Sequence, residues 1–132
     1  MTSHHLRTIE ASLGINLPAS YKNVMAAFPW PTFQGSTEVS LWDDPTPIVE
    51  QTLEYRSGFG GAPPWPAEFV VIGDEEDACP YALNCTSGRI IQTDHGDLKK
   101  TPLREFDDIT ELVAELRKTC DGLVRKSWWK IW

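Results

Sequence analysis

The chain has 132 residues and a formal net charge of −7, with 41% hydrophobic and 23% charged residues. These are ordinary values for a folded soluble protein, and we expect one domain with a core over about residues 6–118 and a basic, aromatic tail over 119–132. The acidic balance disfavours nucleic acid and anionic membranes as partners, and no apolar run approaches the ~20 residues of a membrane span.

The cysteines and the N-terminus indicate a compartment. Three cysteines at uneven spacing do not suggest a disulfide framework, and the first ten residues lack the basic and apolar regions of a secretory signal. We therefore expect a cytoplasmic protein. The charges are also uneven, since residues 74–111 carry ten acids and four bases, whereas residues 112–132 carry two acids and five bases.

Two helices are predicted at the start of the chain, where apolar residues recur at helical spacing. In the first helix Ser3 is the predicted N-cap and Gly14 the left-handed end. Pro18 suits the first turn of the second helix, and Pro29 stops it. The apolar faces of the two helices are Leu6, Ile9 and Leu13, then Tyr21, Val24, Met25 and Phe28.

The next segments alternate between short elements and connections. A strand is predicted at about 39–42, and Thr46 followed by Pro47 forms a cap-and-start pair for a third helix that runs to about Arg56. The segment 58–66 is too rich in glycine and proline for regular structure, so we expect it to be a loop within the domain.

Residues 69–97 predict an antiparallel meander. An apolar strand over 69–72 ends at a glycine, a second apolar segment covers 81–85, and a turn at 86–88 leads into a third segment over 89–93.

A last helix follows the meander. Asp108 and Glu111 form a capping box, and its buried face is Ile109, Leu112, Val113 and Leu116. Helices, meander and helix in this order predict an α+β domain, with an antiparallel sheet flanked by N-terminal helices and a C-terminal helix.

Several segments have an order and spacing that is found in one known family. They are Ile9-Glu10 to Leu13-Gly14, Leu17-Pro18-Ala19-Ser20-Tyr21, Val71 to Asp74, Tyr81 to Asn84, Gly88 to Ile90 and Arg104 to Asp108. This order resembles the SUKH superfamily, whose members begin with a helix, an "LP-x-x-Y" hinge and a second helix. The resemblance covers about residues 6–118.

The resemblance implies a function as well as an α+β fold. Many bacterial members are immunity proteins that bind and neutralise a cognate toxin, often a nuclease or deaminase delivered between competing cells. Fungal members act in cell-wall signalling, so a regulatory protein-interaction module of the same fold is the alternative. The family is not known for a catalytic centre, and we expect no enzymatic activity, no catalytic residue and no cofactor.

The predicted partner-binding surface is acidic. Nuclease toxins carry basic substrate channels, which an acidic inhibitor can block and to which it can be steered. The plain alternative is a solvated loop, and the acids lack the spacing of a Ca²⁺-binding loop, so no metal is expected. The residues of this predicted surface are Asp74, Glu75, Glu76, Asp77, Asp94 and Asp97, together with Trp42, Asp43 and Asp44.

A third hypothesis is a small enzyme. Cys85 and His95 would form a nucleophilic pair, oriented by Asp94 or Asp97. The favoured interpretation is that Cys85 packs in the core, because free cysteines are commonly buried for packing alone. Cys79 and Cys85 without a second pair do not have the spacing of a zinc site.

The tryptophans are numerous, six in the whole chain with three in the last five residues. We expect the tail to pack on its own domain, with a contact to a partner as the alternative. Trp30, Trp42 and Trp65 lie in or near predicted loops and are candidates to line a groove.

Overall fold

The computed structural model describes residues 1–27, 41–58, 61–75 and 79–118. These residues form a four-stranded antiparallel sheet with flanking helices, which confirms the predicted α+β fold. The helices are α1 (Ser3–Leu13), α2 (Ala19–Ala26), α3 (Pro45–Arg56) and α4 (109–118), and the strands are β1 (Phe69–Glu75), β2 (Cys79–Asn84), β3 (Ile90–Gln92) and β4 (Arg104–Phe106). Several predicted features lie outside the described residues: Phe28, Pro29, Trp30, Glu76, Asp77 and the tail 119–132.

The cap of α1 is Thr2, one residue before the predicted Ser3. The Thr2 hydroxyl accepts a hydrogen bond from the His5 backbone N–H at 3.1 Å, and the Thr2 N–H donates to Nδ1 of His5 at 3.3 Å. This reciprocal pair satisfies two N–H groups at the start of the helix, so Thr2 is the residue that caps it. Gly14 ends the helix with φ 65°, as predicted.

The cap of α3 also differs from the prediction. Asp44 Oδ1 accepts the Thr46 N–H at 2.9 Å and Pro45 is the first helical residue, so the helix begins before the predicted Thr46–Pro47 pair. A carboxylate that precedes a proline at the first position is the stronger start signal. At α4, Asp108 Oδ1 accepts the Glu111 N–H at 3.1 Å, which confirms the predicted N-cap.

The strands follow one another in the order β1-β2-β3-β4, which confirms the meander. In β1, the register shifts between Val71 and Gly73. Strand β4 was not predicted, because three residues are too few to show an alternating pattern. Of the strand predicted at 39–42, the described part is a single bridge from Leu41 to Gly73, with the Trp42 N–H donating to the Ile72 carbonyl at 3.0 Å.

The sheet buries side chains on both faces. The larger core joins one face of the sheet to apolar residues of the four helices, including Ile9, Tyr21, Ile48 and Leu112. The smaller core lies on the other face and consists of Tyr55, Trp65, Val71 and Ala82. None of the helices in the described part of the chain has the length and apolar composition of a membrane span.

Helix α3 closes the outer edge of the sheet. The Val71 N–H points away from β2 and donates to the Thr52 hydroxyl at 2.9 Å, with both groups buried. An open strand edge invites pairing with another chain, and this contact removes one such donor from the edge.

Candidate functional site

Carboxylate, thiol and imidazole side chains lie close together at the end of the sheet where β1 ends and β2 begins. In the β1–β2 ladder Asp74 pairs with Pro80 and Glu75 with Cys79. On the other side of β2, the backbone N–H and the hydroxyl of Thr93 both donate to the Pro80 carbonyl, at 2.9 and 3.0 Å. Asp74 and Asp94 therefore flank the first residues of β2.

The segment after β3, here called the 93–97 loop, is held by buried hydrogen bonds. The Gly96 N–H donates to the Thr93 hydroxyl at 3.0 Å, and the Trp65 indole N–H donates to the Gly96 carbonyl at 2.7 Å. Within this loop His95 has φ 53°, a left-handed conformation that is unfavourable for a residue with a side chain. The bonds on either side of His95 hold it there.

Three side chains of different chemistry meet at this end of the sheet. One ligand atom each from Cys79, Asp94 and His95 lies within 4.8 Å of the other two. His95 Nδ1 is 2.6 Å from Asp94 Oδ1. The hydrogen bond with His95 is the main reason that the pKa of Asp94 is lowered, and the charge of Lys100 adds to it. We call these three residues the Cys-Asp-His cluster.

The cluster runs from the interior to the surface. Cys79 is 8% exposed, whereas the side chains of Asp94 and His95 are 35% and 67% exposed. Tyr55 stacks on Trp65 below it, with ring centroids 4.8 Å apart. Burial raises the pKa of Tyr55 to about 12, with further contributions from the charges of Asp74, Glu54 and Cys79.

The predicted acidic surface is only partly a single patch. Asp74, Asp94 and Asp97 lie at the same end of the sheet, here called the acidic end, together with the backbone of Glu75. Some of these carboxylates also have local roles, since Asp97 Oδ1 accepts the Lys99 N–H at 2.9 Å.

The other predicted partner-binding residues lie along the outer edge of β1. The bond from the Trp42 N–H to the Ile72 carbonyl places Asp43 and Asp44 along that edge. Asp43 and Asp44 are both exposed, and Asp44 is the cap of α3. Trp42 is partly buried against both cores. Trp65 is 4% exposed, so the idea that it lines a groove is wrong.

The hypothesis of a nucleophilic pair of Cys85 and His95 is wrong, because the structure places Cys79, and not Cys85, next to His95. Cys85 follows the last residue of β2, whereas Cys79 is its first residue, so the two thiols lie at opposite ends of the strand. Cys85 packs against the larger core, as the favoured interpretation predicted. Burial raises the pKa of Cys85 to about 11. A raised pKa reduces the thiolate that a nucleophile requires.

The sequence contained a signal for the correct partner. Tyr81 pairs with Gln92 across β2 and β3. Because antiparallel strands keep a constant register, two more residues place Asp94 opposite Cys79. The turn at 86–88 sets this register, so the hairpin prediction implied that Cys79, rather than Cys85, approaches His95.

No protein-family model matches the chain, and no curated protein or solved structure matches it either. The similarity to the SUKH superfamily therefore depends on the sequence segments quoted above.

Proposed function

We propose that this chain is a cytoplasmic immunity protein that binds and neutralises a basic bacterial toxin, such as a nuclease, through its acidic end. The observation that carries the proposal is that Asp74, Asp94 and Asp97, from two separate segments, lie at one end of the sheet. The α+β architecture is also the one that the SUKH resemblance implies.

The charge at the acidic end suits a basic partner. Carboxylates held close together create a local negative potential that increases the rate of encounter with a positive surface by about 10–10³-fold at low salt. Lys99 and Lys100 are exposed in the same region and reduce this potential. Asp94 and Asp97 are already held by local hydrogen bonds, so a partner that binds them orders little additional structure.

The test is charge reversal with matched net charge. One variant changes the three carboxylates of the acidic end, Asp74, Asp94 and Asp97, to Lys, and the control changes Glu50, Glu68 and Glu105, which are exposed and lie elsewhere, to Lys. Circular dichroism establishes that both variants are folded. Both are titrated against the purified product of the neighbouring gene, and the association rate is measured over a range of salt concentrations. We expect the first variant to lose about 10-fold in association rate and most of its salt dependence.

The outcomes separate the hypotheses. Equal losses in the two variants, or unchanged affinity of the first variant at low salt, would show that the acidic end is not the contact surface. The toxin's own activity is measured in the same mixtures. A partner that binds tightly and keeps its full activity would favour the regulatory interaction module over the immunity protein.

A further inference from the structure

We propose that Cys79, Asp94 and His95 bind one divalent transition-metal ion, and that zinc(II) is the ion their donor atoms fit. This differs from the absence of a metal site expected from the sequence, because the pairing of β2 and β3 brings Asp94 and His95, and not a second cysteine, next to Cys79. The proposal does not depend on the proposed function, because it concerns the isolated chain.

The positions of the three ligands are set by the sheet. Cys79 is the first residue of β2, and the two hydrogen bonds from Thr93 to the Pro80 carbonyl hold the adjacent Asp94 next to it. His95 follows at φ 53°, and the bonds of Gly96 to Thr93 and Trp65 fix the loop on its far side. Side chains that are positioned by strands and by hydrogen-bonded turns lose little conformational freedom when they bind an ion.

The donor atoms point to a particular class of ion. A thiolate, an imidazole and a carboxylate are the ligands that zinc takes in proteins, whereas Ca²⁺ and Mg²⁺ take oxygen ligands. Their mutual separation of up to 4.8 Å is somewhat larger than the roughly 3–4 Å between ligands on one tetrahedral zinc. Small side-chain rotations close this difference. Three protein ligands leave a fourth position for water or for another group.

The contact between His95 and Asp94 supports this assignment. His95 Nδ1 already lies 2.6 Å from Asp94 Oδ1. One ion can therefore bind both atoms in place of the proton between them, with the two groups moving apart to the spacing of tetrahedral ligands.

A nucleophilic Cys-His-Asp triad uses the same residue types, but the exposure of the cluster favours an ion. A thiol nucleophile requires an open approach for its substrate, and Cys79 is 8% exposed. An ion requires only that the ligands reach it, and the exposed His95 ring gives it access from solvent. The buried Tyr55 ring lies against Gly96, next to His95, and stacks on the buried Trp65 ring, and charge interactions are stronger beside such apolar groups than in water.

The experiment uses the reduced, metal-free full chain and Co²⁺ as a probe that reports its ligands. We expect one equivalent of Co²⁺ to bind with a thiolate-to-cobalt charge-transfer absorption in the near ultraviolet, and Zn²⁺ to displace it. Cys79→Ser should abolish this absorption. His95→Gln and Asp94→Asn should each weaken Zn²⁺ binding by at least about 10-fold.

Matched controls change the same residue types outside the cluster. Cys85→Ser, Cys120→Ser, His4→Gln and Asp97→Asn should keep the stoichiometry, the absorption and the affinity of the unmodified chain. Circular dichroism of every variant establishes that it is folded. Zn²⁺ should also slow the alkylation of Cys79 by iodoacetamide while leaving the alkylation of Cys85 unchanged.

Two results would overturn the proposal. One is the absence of the charge-transfer absorption, or its persistence in Cys79→Ser. The other is rapid alkylation of Cys79 that Zn²⁺ does not slow, which would indicate a nucleophile instead. Neither result bears on toxin binding, so the proposed function and the metal site can fail separately.

Discussion

The Trp65 indole N–H donates to the Gly96 carbonyl at 2.7 Å, a buried contact between residues 31 positions apart. It ties the Gly- and Pro-rich segment before β1 to the 93–97 loop after β3. The same glycine lies against the ring of Tyr55, which stacks on Trp65. These contacts join the smaller core to the Cys-Asp-His cluster.

Gly96 is therefore expected to tolerate no side chain. A Cβ at this position would overlap Cε1 of Tyr55, and the φ of 76° disfavours L-residues. Gly96→Ala should lower the free energy of unfolding by about 2–4 kcal/mol, from backbone strain and overpacking together. Denaturant titration measures this loss.

Gly88→Ala is the matched control for that prediction. Gly88 has φ 79°, but a Cβ there would meet nothing within 4 Å. Gly88→Ala should lower the free energy of unfolding only through backbone strain, by about 1–2 kcal/mol. If the two variants were equally destabilised, the contact between Gly96 and Tyr55 would contribute nothing.

The sequence predicts those features that depend on neighbours along the chain. Helical spacing locates α1 from Leu6, Ile9 and Leu13, all of which are buried. The apolar runs and the turn at 86–88 give β1, β2 and β3 in the right order. The N-caps of α1 and α3 lie one and two residues before their predicted positions, because adjacent polar residues compete for the same N–H groups, whereas the N-cap of α4 is the predicted Asp108.

The contacts at the candidate site are harder to predict, because they join residues that are far apart along the chain. Trp65 meets Gly96 because two loops pack on the same face of the sheet, and no local pattern encodes that distance. The approach of Cys79 to His95 is an intermediate case. It depends on strand register, which the hairpin turn fixes, but Cys79 and His95 lie beyond the ends of the predicted strands.

The Thr52 hydroxyl should contribute measurably to stability. It accepts the buried Val71 N–H at 2.9 Å, and Thr52→Val keeps the shape while removing the acceptor. An unsatisfied buried donor costs about 1–3 kcal/mol, which should appear as a lower midpoint of urea unfolding. Thr52→Ser keeps the hydroxyl and should restore much of the loss. If the valine variant were as stable as the unmodified chain, the hydrogen bond between Thr52 and Val71 would contribute nothing to stability.

Arg104 should not be replaceable by lysine. Its Nε donates to Gln92 Oε1 at 2.9 Å and its Nη2 donates to the Tyr81 hydroxyl at 2.6 Å, which links β4 to β3 and β2. A lysine ammonium does not reproduce this planar arrangement of donors. Arg104→Lys should lower the free energy of unfolding by about 1–3 kcal/mol.

Arg89→Lys is the control for Arg104→Lys. Arg89 Nη1 lies 3.3 Å from Asp107 Oδ1, and the two side chains are 53% and 82% exposed. Exposed ion pairs contribute about 0–1 kcal/mol, so this variant should be almost as stable as the unmodified chain. If Arg89→Lys lowered the free energy of unfolding as much as Arg104→Lys, the loss at Arg104 could not be assigned to its partly buried hydrogen bonds.

The protein should lose stability in alkali. The pKa of Cys85 is raised from 9.0 to about 11 and that of Tyr55 from 10.0 to about 12, chiefly by burial. Below the unfolded pKa values both states hold these protons, whereas above them the unfolded chain releases its protons first and becomes favoured. The free energy of unfolding should therefore fall as pH rises from about 9 through 11 to 12. Cys85→Ala should flatten the lower part of this fall and Tyr55→Phe the upper part, in denaturant titrations at successive pH values. Identical slopes in the two variants and the unmodified chain would assign the alkaline transition to other groups.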